Sequence, residues 1–169
     1  MADVSVRPAS PVDAEHIAKV QLTTWRTAYG ELLPASALEL PLEQAAAIWL
    51  NAIEAPPSPR HRVLVALDQS EVVGFAASEP SSEADDATEL SALVVEPSWG
   101  RRGHGSRLLA ASVDHWRDDG VVTGVAWAFQ ADAVITGFLT SAGWALDGAT
   151  RSLDTGSQLV AQHRLHTSL

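Results

Sequence analysis

Leu93-Val94-Val95-Glu96-Pro97-Ser98-Trp99-Gly100-Arg101-Arg102-Gly103-His104-Gly105-Ser106-Arg107-Leu108-Leu109 decides how this chain is read. An apolar run ends at Pro97, a loop rich in glycine and arginine follows, and Leu108-Leu109 open an amphipathic helix. A buried strand, a turn and a helix in that order build an anion site. The first turn of a helix leaves backbone N–H groups without intrahelical acceptors, and the helix dipole adds partial positive charge at the same place. Gly103 and Gly105 have no Cβ, so the backbone there can approach a ligand closely. Successive N–H groups can then surround a phosphate or diphosphate. Arg101, Arg102 and Arg107 supply mobile positive charge around it.

Spacing alone leaves the ligand open. A Walker A loop has Lys-Ser/Thr after its second glycine, and this loop has Ser106-Arg107. The dinucleotide fingerprint has a third glycine and follows the first strand. Here the third glycine is missing and the loop lies near the middle of the chain. A bare glycine-x-glycine also fits an ordinary surface turn.

The 169 residues suit one domain, 1–169, with a substantial core. A 46% hydrophobic, 19% charged composition is not that of a disordered chain. No apolar run approaches the roughly 18 residues that span a bilayer. Met1-Ala2-Asp3-Val4-Ser5-Val6-Arg7 lacks the basic start and apolar core of a signal peptide. The expectation is a cytoplasmic protein with no membrane partner. There is no cysteine, which excludes disulfides, thiolate catalysis and cysteine-based zinc sites. A formal net charge of −10 argues against a nucleic-acid partner and favours a cationic or neutral one. The six histidines do not cluster, and His163 and His166, three apart on a strand, face opposite sides, so no metal site is expected. The side chain of His104 is expected to point outward.

Along the chain, Val4 to Arg7 alternates as a short strand. Ser10, Pro11 and Asp13 form a helix start, and Ile17, Val20, Thr24 and Ala28 mark one face of that helix, with Trp25 beside it. A short helix is expected around Ala35 to Leu40. Another runs from about Leu42 to Ile53, with Ala45, Ile48 and Trp49 turned inward. Ala55-Pro56-Pro57-Ser58-Pro59 breaks the pattern. His61 to Asp68 and Val72 to Ser78 form a hairpin with a bulge expected at Gly74. Glu79 to Ala87 reads as a polar loop and Glu89 to Val95 as a strand. The helix after the glycine loop reaches about Asp119. A strand over Val121 to Trp127, a helix over Asp132 to Ala142 capped by Gly143, and a last hairpin follow.

This order, and the strand-Pro-loop-helix stretch in it, resembles the GNAT superfamily of acetyl-CoA-dependent N-acyltransferases. In that family a Q/R-x-x-G-x-G/A loop holds the pyrophosphate of coenzyme A on backbone amides. Gly103, His104 and Gly105 match its G-x-G segment, and the Q/R slot falls on Gly100. Val6-Arg7-Pro8-Ala9, Trp25-Arg26-Thr27-Ala28-Tyr29 and Leu32-Leu33-Pro34 resemble a bacterial branch whose first helices wall the acceptor pocket. The resemblance implies an α/β (α+β) GNAT fold, with a central, mixed, mostly antiparallel sheet of six to seven strands flanked by helices.

The resemblance also implies roles. Acetyl-CoA is the cosubstrate and a small-molecule or peptide amine the acceptor, and dimers are common among such proteins. Gly100, Arg101, Arg102, Gly103, His104, Gly105 and Ser106 are expected at the pyrophosphate. Leu93, Val94 and Val95 are expected along the pantetheine arm, with the Val94 N–H polarising the thioester carbonyl. Glu89 is expected as general base; its bland alternative is a solvated strand-end glutamate. Asp132 and Phe138 occupy cofactor-side slots of the last helix, and Trp25 and Tyr29 the acceptor wall. The family's general-acid tyrosine aligns with Leu139, which has no proton to give. Either the thiolate leaves through water, since a thiol of pKa about 8.5 needs little help, or Tyr29, Thr140 or Ser141 substitutes, or the protein binds acyl-CoA with little turnover.

Overall fold

The computed structural model describes residues 3–169. Its first strand, β1 (Val4–Pro8), delivers the chain to a capped helix start. The Asp13 carboxylate accepts from the Ser10 backbone N–H at 2.7 Å and pairs with Arg7 at 2.7 Å. That satisfies an orphan donor of a short 3-10 turn (Pro11–Asp13), which runs straight into α1 (Ala14–Ala28). Ile17 and Val20 are the buried stripe of α1, each worth about 1.5–3 kcal/mol when fully withdrawn from water.

A one-turn α2 (Ala35–Leu38) and α3 (Leu42–Glu54) follow. Ala45 packs against α1 as expected, and the Trp49 indole N–H donates to Gln21 at 2.7 Å. Ile48 is a correction: it is 62% exposed, because the α3 stripe facing α1 and the sheet passes through Ala45 and Trp49.

The rest of the chain adds β2 (Arg62–Asp68), β3 (Glu71–Pro80), β4 (Ala87–Val95), α4 (His104–Asp118), β5 (Thr123–Phe129), α5 (Ala133–Ser141), β6 (Ala145–Asp154) and β7 (Leu159–Ser168). The strands form one seven-stranded sheet in the order β1-β2-β3-β4-β5-β7-β6. Every neighbouring pair is antiparallel except β4 and β5. Period-two alternation splits the core in two. On β2, Val65 and Leu67 join Ile17 and Val20 under α1, while Leu64 and Ala66 join Leu108, Trp116 and Leu139 under α4 and α5. The fold is thus the mixed sheet between helices that the sequence led us to expect. No helix among the described residues is long and apolar enough to cross a membrane.

Two bulges shape the centre of the sheet. Ala66 pairs with Gly74 and Leu67 with Val72, so Val73 is the extra residue beside the glycine. Ala77 pairs with Ala92 and Ser78 with Leu90, so Ser91 is extra on β4, its hydroxyl bonded back to Ala77 O. A bulge bends its strand and raises the local twist. Beyond this second bulge β4 leaves β5: the parallel pairing covers only Ala87 to Glu89 against Thr123 to Val125.

Candidate functional site

β4 and β5 part after Glu89, which opens a cleft beside the second half of β4. Leu93, Val94 and Val95 lie on the part of β4 that has no β5 partner. Strand amides alternate in direction. The Glu96 N–H donates to Val73 O, and Val94 pairs with Phe75 two residues earlier, so the Val94 amide points toward β3. The amides of Leu93 and Val95 point the other way, into the cleft. This corrects the role given to Val94: the donors on offer are its two neighbours.

At the far end of β4 a 3-10 turn (Pro97–Trp99) leads into the glycine loop. Arg101 (φ 61°) and Gly103 (φ 82°) both take left-handed conformations. Such bends turn successive N–H groups toward one side. Gly103 is the N-cap of α4, but it provides no side-chain cap, and the first turn contains no acidic residue. The first intrahelical bond is donated by Arg107 to Gly103 O, so the amides of His104, Gly105 and Ser106 are left for a ligand. Gly100, Arg101, Arg102, Gly103 and Ser106 are exposed around this end.

Two side chains here depart from expectation. His104 does not point outward; it is 1% exposed, with Nε2 3.1 Å from the Asp68 carboxylate at the end of β2. Only its backbone faces the loop. Arg107 is not mobile charge; its guanidinium folds back beneath Gly103 and bonds Arg102 O and His104 Nδ1. The remaining loop cations are Arg101 and Arg102, the latter stacked over Trp99 at 4.9 Å. Gly105 faces Phe138 of α5, where an added Cβ would meet the ring at 3.5 Å.

Across the cleft, Asp132 caps α5 by accepting from the Ile135 N–H at 3.1 Å. Its other oxygen accepts from the Tyr29 hydroxyl at 2.5 Å. Both carboxylate oxygens are therefore engaged within the protein. Burial, and then the bond to Asp132, raise the Tyr29 phenol well above its ordinary range. Its ring sits edge-on to Phe129 of β5 at 5.0 Å, and Trp25 lies 6.4 Å away. Leu139 is 1% exposed and belongs to the core under α5.

Glu89 is half-buried, the last residue of β4 still paired with β5. It stands opposite Glu79 on β3. Burial pushes its carboxyl up, the Glu79 charge pushes it further, Arg151 pulls it back, and Glu83 adds a smaller push. Arg151 stacks on Trp127 at 4.2 Å and bonds Gln162. Asp68 and Arg151 are site neighbours that the sequence does not single out. They arrive from other strands through the sheet register, for which no local motif exists; Asp68 reads only as a turn residue. Glu79, which with Glu83 reads from the sequence as a weaker candidate base in an exposed polar loop, lies instead on β3.

Residues 22–141 match the profile of the Acetyltransferase (GNAT) family, and the chain belongs to that family of acyl-transferring enzymes. No curated protein matches the sequence. Among solved structures it is similar to the PaiA N-acetyltransferase of Thermoplasma acidophilum in complex with coenzyme A, with TM-score 0.80 and 18% identity over 99% of each chain. It is also similar to YncA of Salmonella typhimurium, a putative acetyltransferase with acetyl-CoA, with TM-score 0.75 and 18% identity over 98% of this chain and 94% of that one. A ribosomal-protein-alanine N-acetyltransferase from Brucella melitensis gives TM-score 0.74 and 21% identity over 98% and 99%. At these identities the likeness is one of fold.

Proposed function

We propose that this chain acts as a single GNAT domain that moves an acetyl group from acetyl-CoA to a primary amine, by direct attack in a ternary complex. The observation that carries the reading is the uncapped, acid-free start of α4 behind two left-handed residues, placed at the end of a strand that parts from its neighbour. The loop amides and Arg101 and Arg102 suit a diphosphate, and the cleft suits a thin, extended arm. The named neighbours that contain coenzyme A or acetyl-CoA support the same donor.

In the proposed reaction Glu89 takes a proton from the incoming ammonium. At about 3.3 Å per residue, Glu89 and Leu93 stand on the order of 10 Å apart along β4, so the proton travels through water. The amine nitrogen attacks the thioester carbonyl carbon. Negative charge on the carbonyl oxygen is held by a cleft-facing N–H, that of Leu93 being nearer Glu89 and that of Val95 nearer the loop. The C–S bond then breaks; the nitrogen, positively charged after its attack, gives up its second proton to water in the cleft, and that water passes a proton to the leaving thiolate, while the proton on Glu89 returns to solvent. Tyr29 is a poor acid for this step, because its proton is held by Asp132 and its pKa is raised. Leu139 is buried and has no proton to give.

Thiol release from acetyl-CoA across a panel of primary amines tests the proposal. Turnover on at least one amine, with a 1:1 acetylated product, is expected. Tight acetyl-CoA binding without turnover on any amine would instead make the chain an acyl-CoA-binding protein.

A further inference from the structure

His104 occupies the position between the two glycines of the loop, and its side chain is a fully buried polar group beside the site. Its ring is bonded on both nitrogens. Nδ1 lies 3.1 Å from Arg107 Nη2 and Nε2 lies 3.1 Å from Asp68 Oδ2. A guanidinium can only donate, so Nδ1 must accept, and a neutral ring that accepts at Nδ1 carries its proton on Nε2. That proton points at the Asp68 carboxylate. The donors therefore run one way, from Arg107 through His104 to Asp68. A ring protonated on both nitrogens would set an N–H against an N–H of Arg107.

The same Arg107 guanidinium grips the loop backbone. Nη2 donates to Arg102 O at 3.0 Å, and Nη1 lies 3.0 Å from where a Cβ on Gly103 would stand. Arg107 Nε is buried without a partner, so the terminal nitrogens alone fix the group. The charged groups around the ring are Asp68 from β2, Arg107 from α4 and Arg102 from the loop. Trp99 meets the ring edge-on at 6.5 Å and lies beneath Arg102. Asp68 itself ends β2 and precedes the left-handed Gln69 and Ser70 of the β2–β3 turn. The loop is thus tied to a distant hairpin and not only to its own strand.

We propose that His104 is a positioning residue, passing the hold of Asp68 to Arg107 and so fixing the Arg102-Gly103 backbone in the shape that receives a diphosphate. This rests on reading the loop as the diphosphate grip. A loop held in its binding shape before the ligand arrives avoids the ordering cost of binding.

The test compares acetyl-CoA with S-acetylpantetheine, the same thioester without the diphosphate. The readout is the ratio of kcat/KM for the two donors with one amine. His104→Leu is expected to lower that ratio about tenfold, the order of one charge-assisted hydrogen bond. His104→Gln, whose amide both accepts and donates, is expected to restore most of it. Arg107→Met, which keeps the aliphatic stem, is expected to repeat the loss and serves if His104→Leu does not fold. Long-range proton–nitrogen NMR of the wild type is expected to report the Nε2–H tautomer. An unchanged ratio in both His104→Leu and Arg107→Met, no rescue by glutamine, or the Nδ1–H tautomer would overturn the proposal. A wild type that does not prefer acetyl-CoA would overturn the diphosphate grip itself.

Discussion

A β-carbon on Gly74 would lie 2.7 Å from the Val94 carbonyl oxygen and 3.2 Å from the Val95 side chain. Real side chains do not come so close, so glycine at the β3 bulge is what lets β3 pass this part of β4. The contact bears on the chemistry because the amides of Leu93 and Val95 flank that carbonyl. Gly74→Ala is expected to push β4 toward the cleft, costing about 1–3 kcal/mol of stability as overpacking does. It should also lower kcat with acetyl-CoA, since a hydrogen-bond donor displaced by an ångström loses much of its value in the transition state. Thermal unfolding and steady-state kinetics on one preparation check both. Wild-type kcat at reduced stability would remove the link to the cleft.

The two loop glycines should differ. Gly103 has φ 82°, and a Cβ there meets the Arg107 guanidinium at 3.0 Å. Gly103→Ala therefore imposes left-handed strain of about 1–2 kcal/mol and also displaces Arg107. Gly105 has no positive φ, and its added Cβ meets Phe138 at an ordinary 3.5 Å. Titration calorimetry with acetyl-CoA is expected to show at least tenfold weaker binding for Gly103→Ala and a change of about threefold or less for Gly105→Ala. Equal losses at both positions would mean that closeness to the ligand, not backbone shape, is what the loop requires.

The extent to which the site can be read from sequence follows from how local its causes are. Gly103 and the helix behind it are legible because left-handed bends and helix starts are encoded within a few residues. The Ser10/Asp13 cap and the Gly74 bulge are legible for the same reason. The inward turn of His104 is not, because its cause is Asp68, brought close only when β2 lies beside the loop. The Ser91 bulge that parts β4 from β5 carries no glycine to announce it. The direction of the Val94 amide depends on register against Phe75, and a one-residue slip would reverse it. Ile48 fits a helical period but falls outside the stripe that the packing of α1 uses.

Tyr29 and Asp132 join the end of α1 to the start of α5 by a partly buried bond. A phenol held this way and shifted upward is poorly suited to give a proton to a departing thiolate. Tyr29→Phe is therefore expected to leave the maximal rate of thiol release within about threefold. It should raise the KM for the amine, because the acceptor wall loses its tether. Asp132→Asn should do likewise while weakening the cap of α5 only slightly, since asparagine also caps well. A hundredfold drop in kcat for Tyr29→Phe at unchanged amine KM would restore the tyrosine as general acid.

Glu89 gives the sharpest pH test. Its folded pKa is raised, first by burial and then by Glu79. Activity needs the carboxylate, so the acid limb of kcat/KM should lie above the ordinary glutamate range. Arg151 favours the charged form, so Arg151→Met should move that limb to still higher pH. Glu89→Gln should abolish the limb and lower the rate about a hundredfold or more. The sign for stability is opposite. The unfolded chain ionises this residue freely near pH 4.3, whereas the folded protein ionises it only against burial and the Glu79 charge. At neutral pH the folded state therefore bears a penalty, absent below the unfolded pKa and complete above the folded one. Glu89→Gln should raise the melting temperature at pH 8 while removing activity. A variant both less active and less stable at that pH would show a carboxylate that supports the fold instead of one strained for the reaction.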